Sequence, residues 1–164
     1  MNTKFSARSY DSKLQKKSSS AYVLDSALPQ SISLIGSINQ LIHAINTQHH
    51  PCIEFIHCGF ENENCLKDQD RVAIYLIVKA QIKNILKNTR VTSAVIHLAK
   101  NQEKVAIVIE DNGADIDTTK IKNSRAIRTI QNLVKYHKGQ CNIIFEQNKG
   151  TVLEVLINVT GLSQ

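Results

Sequence analysis

An acidic side chain directly follows an alternating apolar run in the stretch VAIVIEDNGADID, residues 105–117. Asn-Gly after such a run is the strongest short-range signal for a hairpin turn, because both residues tolerate positive φ angles. The same position suits a binding group: Asp111 offers a carboxylate, and Gly113 allows a ligand to approach the backbone closely. This stretch by itself is compatible with both interpretations, a hairpin turn and a ligand-binding carboxylate.

Side chains that bind transition metals do not occur at the spacings of a zinc site. The four cysteines, Cys52, Cys58, Cys65 and Cys141, include no Cys-x-x-Cys pair, and the six histidines add no spacing that would complete a site. In a reducing compartment we expect these thiols to be core or strand residues rather than disulfides.

Three segments carry the spacing of apolar residues by three and four that indicates helices, and they are 31–45, 69–88 and 124–138. Pro51 prevents the first helix from continuing. The second is apolar around most of its circumference in its first half, which predicts a central position. For the third, Ser124 or Asn123 can serve as N-cap and Gly139 as the C-terminal stop.

Five segments have the short apolar or alternating pattern of strands, and they are 52–58, 91–99, 105–111, 141–146 and 151–159. The turns NQEK and QNKG close two hairpins. The segment from Asn112 to about Asn123 is predicted to be a loop. The order helix, strand, helix, strand, strand, helix, strand, strand predicts an α+β fold in two layers. We expect one mixed, mostly antiparallel sheet with the helices on one face.

The charge of the chain is unevenly distributed. The formal net charge is +6, and residues 1–20 hold five Lys or Arg against one Asp, a net +4. Few aromatic residues are interleaved with these charges, so a solvated arm is favoured and nucleic acid is not an expected partner. No apolar run reaches the roughly 18–20 residues that span a bilayer, and no signal peptide is apparent. We therefore expect a cytoplasmic protein without a membrane span.

The central helix and the last hairpin resemble those of a known family. The helix reads IVKAQIKNILKNT, 77–89, close to the family's IVQEQLNNILKHA, and the turn reads NKGT, 148–151, close to GKGT. With the order of elements, they resemble the ATP-binding domain of sensor histidine kinases. That superfamily also holds gyrase, heat-shock-90 chaperones and mismatch-repair ATPases, and its fold is the Bergerat-type sandwich.

The resemblance implies a division of the chain into three parts. The ATPase-like domain occupies 51–162, preceded by a linker and first helix at 21–50. The basic tail at 1–20 is then either flexible or the end of a dimerisation helix.

The resemblance also implies roles for individual side chains. Asp111 and Gly113 match the family's Asp-x-Gly-x-Gly box, which implies that Asp111 reads adenine, although Asp115 replaces the second glycine. Asn84 takes the position of the magnesium ligand, where a hard cation requires oxygen. The other implied ATP contacts are Lys87, Asn88 and Thr151. ATP and Mg²⁺ are the implied cofactors, bound weakly or not at all because of three departures.

The three departures concern the catalytic Glu, the glycine-rich segment that holds phosphates and the phosphoacceptor histidine. The family's Glu, which acts as base or orients water, belongs four residues before Asn84 on the same helical face, and Ala80 stands there. The glycine-rich segment that holds phosphates at a helix start is replaced by Ser124, Arg125, Ala126 and Ile127. No phosphoacceptor histidine followed by an acidic residue is found. We therefore assign no catalytic residue, and the sequence resembles a degenerate member of the family.

Three hypotheses follow for function. The preferred one is a non-catalytic regulatory or scaffolding module of two-component signal transduction. Its partner would be a histidine kinase or response-regulator-type protein, or a second copy bound through the N-terminal helix. The alternatives are a kinase domain that binds ATP and Mg²⁺ and phosphorylates a histidine in trans, and an anti-sigma-type regulator.

Overall fold

The computed structural model describes residues 33–48, 51–114, 118–146 and 149–159. The tail at 1–20, with its possible dimerisation helix, lies outside these residues. So do residues 31 and 32, the predicted start of the first helix.

The described residues form an α+β domain. Its helices are α1 (Leu34–Asn46), α2 (Asp68–Lys87), α3 (Thr118–Lys122) and α4 (Arg125–Tyr136), with a 3-10 turn at Glu63–Cys65. Its strands are β1 (Cys52–Cys58), β2 (Ser93–Lys100), β3 (Lys104–Asp111), β4 (Gln140–Glu146) and β5 (Gly150–Asn158).

The five strands form one sheet in the order β1-β2-β3-β5-β4. β1 runs parallel to β2, and the other three pairs are antiparallel. The prediction of a mixed, mostly antiparallel sheet is confirmed. β1 must be parallel to its neighbour because α2 carries the chain back along the helical layer before β2 begins.

The core lies between one face of the sheet and the helices. Alternate strand residues such as Ile53, Ile107 and Leu153 are buried against that layer. Residues of opposite parity point away, and there Ile56 is 46% and Ile144 37% exposed. The two-layer arrangement with helices on one face is therefore confirmed. None of the described helices combines the length and hydropathy needed to cross a bilayer.

α2 is the central helix of this layer, as its sequence predicts. Eleven of its twenty residues are buried. It packs against α1, α4 and β3, so the side chains near its C-terminal end are held in fixed positions beside the end of β3.

Two short helical elements lie where the sequence predicts loops, and that prediction is wrong. One is the 3-10 turn at Glu63–Cys65, whose Glu63 carboxylate accepts hydrogen bonds from the N–H groups of Leu34 and Ile35. It thus caps α1 together with the Ser33 hydroxyl. The other is α3, a single helical turn within the predicted loop from Asn112 to Asn123.

α4 ends at Tyr136, two residues before the predicted end at 138. Lys138, at φ 50, takes the left-handed position, and the Gly139 N–H donates to the Val134 carbonyl at 2.9 Å. This is a Schellman ending with lysine where glycine is usual. Gly139 is needed for another reason, since a Cβ there would lie 2.2 Å from the Leu156 carbonyl oxygen.

The expectation for the cysteines is confirmed for three of the four. Cys52 and Cys58 lie on β1 and Cys141 lies on β4, all as free thiols. Cys65 is also a free thiol, but it lies in the 3-10 turn and is half-buried.

Candidate functional site

Asp111 ends β3 and does not close a hairpin. β3 pairs with β2 and β5, and the β2–β3 turn lies at the other end of the strand, at residues 101–103. The Asp111 Oδ1 accepts a hydrogen bond from the Gly113 N–H at 2.9 Å. Burial raises the pKa of this carboxyl above its usual range, while backbone hydrogen bonds from Gly113 and Thr151 oppose the shift. The hairpin-turn interpretation is wrong.

Asn112 fixes the loop that follows Asp111, a role the sequence did not indicate. Its Oδ1 accepts from the N–H groups of Thr92 and Ser93 at 2.9 and 3.0 Å, and its Nδ2 donates to the Thr92 hydroxyl. The loop is thereby attached to the start of β2. Asp111 lines a cavity together with residues of α2.

Four of the predicted binding residues line one small cavity: Asp111, Thr151, Asn84 and Asn88. Its volume is about 20 Å³, which is room for about one water molecule. Ligand pockets are typically about 300–1,000 Å³. The site residues are therefore together, but around a space much smaller than a nucleotide.

The Thr151 hydroxyl is buried in this cavity wall and has no hydrogen-bond partner among the described residues. An unpaired buried hydroxyl beside a carboxylate is a polar pair that a ligand or a water can satisfy. An adenine ring, with an amino donor next to a ring-nitrogen acceptor, matches the Asp111–Thr151 pair chemically. The donor and acceptor chemistry of this pair thus suits adenine, although the cavity of about 20 Å³ is too small to admit it.

The surroundings of Asn84, the residue that the resemblance implies as the magnesium ligand, do not fit Mg²⁺ in the same way. Asn84 Nδ2 donates to Gln81 Oε1 at 3.3 Å, which leaves one amide oxygen for a cation. Within the described residues no group of three His, Cys, Asp or Glu side chains could hold a metal. Mg²⁺ usually takes one or two carboxylates together with phosphate oxygens. Asn84 alone does not supply such a site.

Asn88 and Gly113 have structural roles at the end of α2. The Asn88 Oδ1 accepts from the Arg90 N–H at 3.1 Å and so turns the chain after the helix. A Cβ at Gly113 would lie 2.6 Å from Asn88 Nδ2 and 2.8 Å from Val91 Cγ2. Gly113 therefore lets the loop pack directly on this turn.

Lys87 lies apart from the other residues that the resemblance implies as ATP contacts. It is exposed and lines a second space, here called the α2–α4 groove, of about 270 Å³. The groove is lined by Leu76, Lys79, Ala80, Lys83, Lys87, Arg125, Ala126 and Thr129. The four-residue spacing of Lys79, Lys83 and Lys87 was a signal in the sequence for this basic face.

Ala80 lies in the same groove and is 8% exposed. The helix opposite begins with Ser124, whose hydroxyl accepts from the Ile127 N–H at 3.2 Å, so the predicted Ser124 N-cap is correct. Arg125 and Ala126 follow it with side chains where close backbone approach would require glycine. The groove therefore presents side-chain charges rather than a backbone cradle.

Solved structures that superpose on this chain include several histidine kinases. A blue-light-activated histidine kinase from Erythrobacter litoralis superposes with a TM-score of 0.63 at 17% identity, over 92% of this chain and 49% of that one. The catalytic domain of histidine kinase ThkA, in a nucleotide-free form, gives 0.59 at 17% identity, over 79% and 93%. The chain has the fold of a histidine-kinase ATP-binding domain.

A third histidine kinase, AdeS from Acinetobacter baumannii, gives a TM-score of 0.58 at 13% identity, over 90% of this chain and 77% of that one. No protein-family model and no curated protein sequence matches the chain. The likeness to histidine-kinase domains is therefore one of fold, and the function is argued from the site.

Proposed function

We propose that this histidine-kinase-type domain is a regulatory or scaffolding module of two-component signal transduction that does not catalyse phosphotransfer. It would act by binding a histidine kinase or a response-regulator-type protein. Its regulatory or scaffolding role would then depend on the surfaces that bind these partners.

The observation that carries this proposal is Ala80. It stands one helical turn before Asn84, and its methyl group lines the α2–α4 groove among lysines. Among the residues that the structure describes, no acidic side chain lines that groove. A methyl group can neither accept a proton nor orient a water molecule, so general-base catalysis has no residue to perform it from this position.

The start of α4 supports the same conclusion. A helix N-terminus binds phosphate when its first N–H groups point at the ligand and its backbone can be approached closely. Here Ser124 occupies part of that position with its own hydroxyl, and Arg125 and Ala126 carry Cβ atoms. Loss of one oxyanion-type donor set costs about 3 kcal/mol in comparable sites.

A second candidate function rests on the retained adenine end. The Asp111 carboxylate and the unpaired Thr151 hydroxyl share one cavity, and Asn84 borders it. If the cavity opens, ATP and Mg²⁺ could bind, and the chain would support phosphorylation of a histidine in trans. This alternative requires Asp111 to contribute to nucleotide affinity.

Calorimetric titration with ATP and with a non-hydrolysable analogue, with and without Mg²⁺, tests the two candidates. We expect no binding heat up to millimolar nucleotide. The same titration is made on Asp111→Asn and on Glu103→Gln, which removes an exposed carboxylate at the opposite end of β3.

Micromolar affinity, about −8 kcal/mol, that is lost in Asp111→Asn and kept in Glu103→Gln would contradict the proposal. Such a result would favour the kinase alternative.

A further inference from the structure

We propose that Ile121 of α3 is an autoinhibitory plug, which keeps the cavity beside Asp111 too small for an adenine base. This role rests on the proposed function, because it names the contact that closes the site of a module that binds no nucleotide. It assigns a purpose to α3, the helical turn that lies where the sequence predicts a loop.

The side chain of Ile121 lines the same cavity as the polar side chains of Asp111, Thr151 and Asn84. Ile121 is half-buried and packs against the hydrophobic core. The cavity that it leaves is about 20 Å³. An isoleucine side chain in this wall therefore takes up space that a base would need in order to reach Asp111.

α3 is held in place by contacts with β4 and with the start of α4. The Nζ of Lys122 lies 5.5 Å from the centre of the Phe145 ring on β4, within the range of a cation–π interaction. The Ile121 carbonyl accepts a hydrogen bond from the N–H of Ser124, the N-cap of α4, at 2.9 Å. The plug is thus positioned by two neighbouring elements.

The polar groups that Ile121 helps to cover indicate that the closed state can be displaced. The Thr151 hydroxyl is 2% exposed and has no hydrogen-bond partner among the described residues. Burial is also the main influence on the Asp111 carboxyl, whose pKa it raises. Covering such groups with an apolar side chain costs free energy, which a ligand that hydrogen-bonds to them would recover.

Binding of adenosine to the full chain, measured by saturation-transfer NMR, tests the inference, because adenosine carries the base without phosphates. We expect no saturable binding to the wild-type chain up to millimolar adenosine. Ile121→Ala trims the plug to a methyl group, and we expect its Kd to be lower than that of the wild type by about tenfold or more. In Ile121→Ala/Asp111→Asn that gain should be lost, because the charged acceptor for the adenine amino group is gone.

The matched control is Ile35→Ala. Ile35 is also a half-buried isoleucine packed against the core, but it lies on α1 and does not line the cavity. This variant should bind adenosine no better than the wild type. Thermal melts establish that each variant is folded, and Ile121→Val takes the place of Ile121→Ala if the latter does not fold.

NMR titration of the Asp111 carboxyl gives a second readout that needs no ligand. Trimming Ile121 should let water reach this carboxyl, so its pKa should fall toward the ordinary value of an aspartic acid. The pKa should stay unchanged in Ile35→Ala.

Four outcomes overturn the inference: no gain of adenosine binding in the folded Ile121 variant, an equal gain in Ile35→Ala, a gain that survives Asp111→Asn, or an unchanged Asp111 pKa in the Ile121 variant. Any of them without ATP binding to the wild-type chain leaves the non-catalytic proposal intact. Asp111-dependent ATP binding to the wild-type chain contradicts that proposal whatever the Ile121 variant does.

Discussion

At the scale of single residues, Asp111 combines burial with a charge. Burial raises its pKa, so the folded chain holds a proton more tightly than the unfolded chain does. The resulting contribution to stability is present at low pH and is lost as pH rises through the folded-state pKa. At neutral pH the ionised carboxylate therefore costs stability that an uncharged group of the same shape would not.

We predict that Asp111→Asn raises the melting temperature at pH 7. The amide oxygen can still accept from the Gly113 N–H, and the buried charge is gone. The gain should shrink as pH falls through the raised folded-state pKa of Asp111 and should stay constant below about 3.9, the pKa of an exposed Asp. Thermal melts from pH 3 to 7, with Glu103→Gln as control, measure the difference. A lower melting temperature for Asp111→Asn at pH 7 would show that the hydrogen bonds to the carboxylate outweigh its burial.

Lys138 gives a second prediction at this scale. It holds a left-handed φ of 50 in the Schellman ending of α4, where a Cβ is unfavourable. Lys138→Gly should therefore stabilise the fold by about 1 kcal/mol in urea denaturation. As the matched control, Lys135→Gly, inside the helix, should destabilise it by about as much. If both variants destabilise the fold, the Lys138 side chain contributes something that its backbone geometry does not reveal.

At the scale of elements, α2 and α4 are joined by a buried polar pair. Asp70, in the first turn of α2, is 1% exposed, and its Oδ1 lies 3.3 Å from Nδ1 of His137 at the end of α4. Neither carboxylate oxygen makes a hydrogen bond with the described residues. His137 therefore lies within ion-pairing distance of the carboxylate.

We predict that His137→Ala destabilises the fold by about 3 kcal/mol, because it leaves a buried carboxylate without compensation. Asp70→Ala/His137→Ala should lose less than the sum of the two single variants, and urea denaturation of this cycle gives the coupling. Simple additivity would mean that the two groups are neighbours without a significant interaction.

The periodic spacing of apolar residues predicted the long helices and strands, because this spacing reflects which residues are buried. Burial of the same residues stabilises those elements in the fold. The 3-10 turn at Glu63–Cys65 and helix α3 were not predicted, because segments of three to five residues are too short to show a period. The 3-10 turn also depends on hydrogen bonds between the Glu63 carboxylate and the start of α1, which is distant in sequence.

The order of elements and the helix motif correctly predicted the fold. Asp111, Asn84, Asn88 and Thr151, which the helix motif, the Asp-x-Gly box and the last hairpin singled out, line one cavity in the structure. The same patterns could not place Lys87, since its direction depends on where α4 packs.

At the scale of the whole molecule, the sheet has a stable centre and two open edges. β3 and β5 each pair on both sides, while β1 and β4 each pair on one. We predict that hydrogen exchange measured by mass spectrometry is slowest for peptides from β3 and β5 and fastest, among strands, for β4. The outer edge of β4 pairs with no described strand, and α4 packs on β4 less extensively than α1 packs on β1. Exchange of β4 as slow as that of β5 would indicate that something covers the β4 edge.

The position of β5 has a consequence for biosynthesis. β5 lies between β3 and β4, although it is the last strand to be made. Any sheet that β1, β2 and β3 form before β5 is synthesised has an open β3 edge, and β4 then has no strand to join. Residues such as Ile107 and Ile143 then lack the side chains of β5 that cover them later. Completion of the domain must await release of Asn158 from the exit tunnel, and until then the β3 edge is a surface for chaperones or for aggregation.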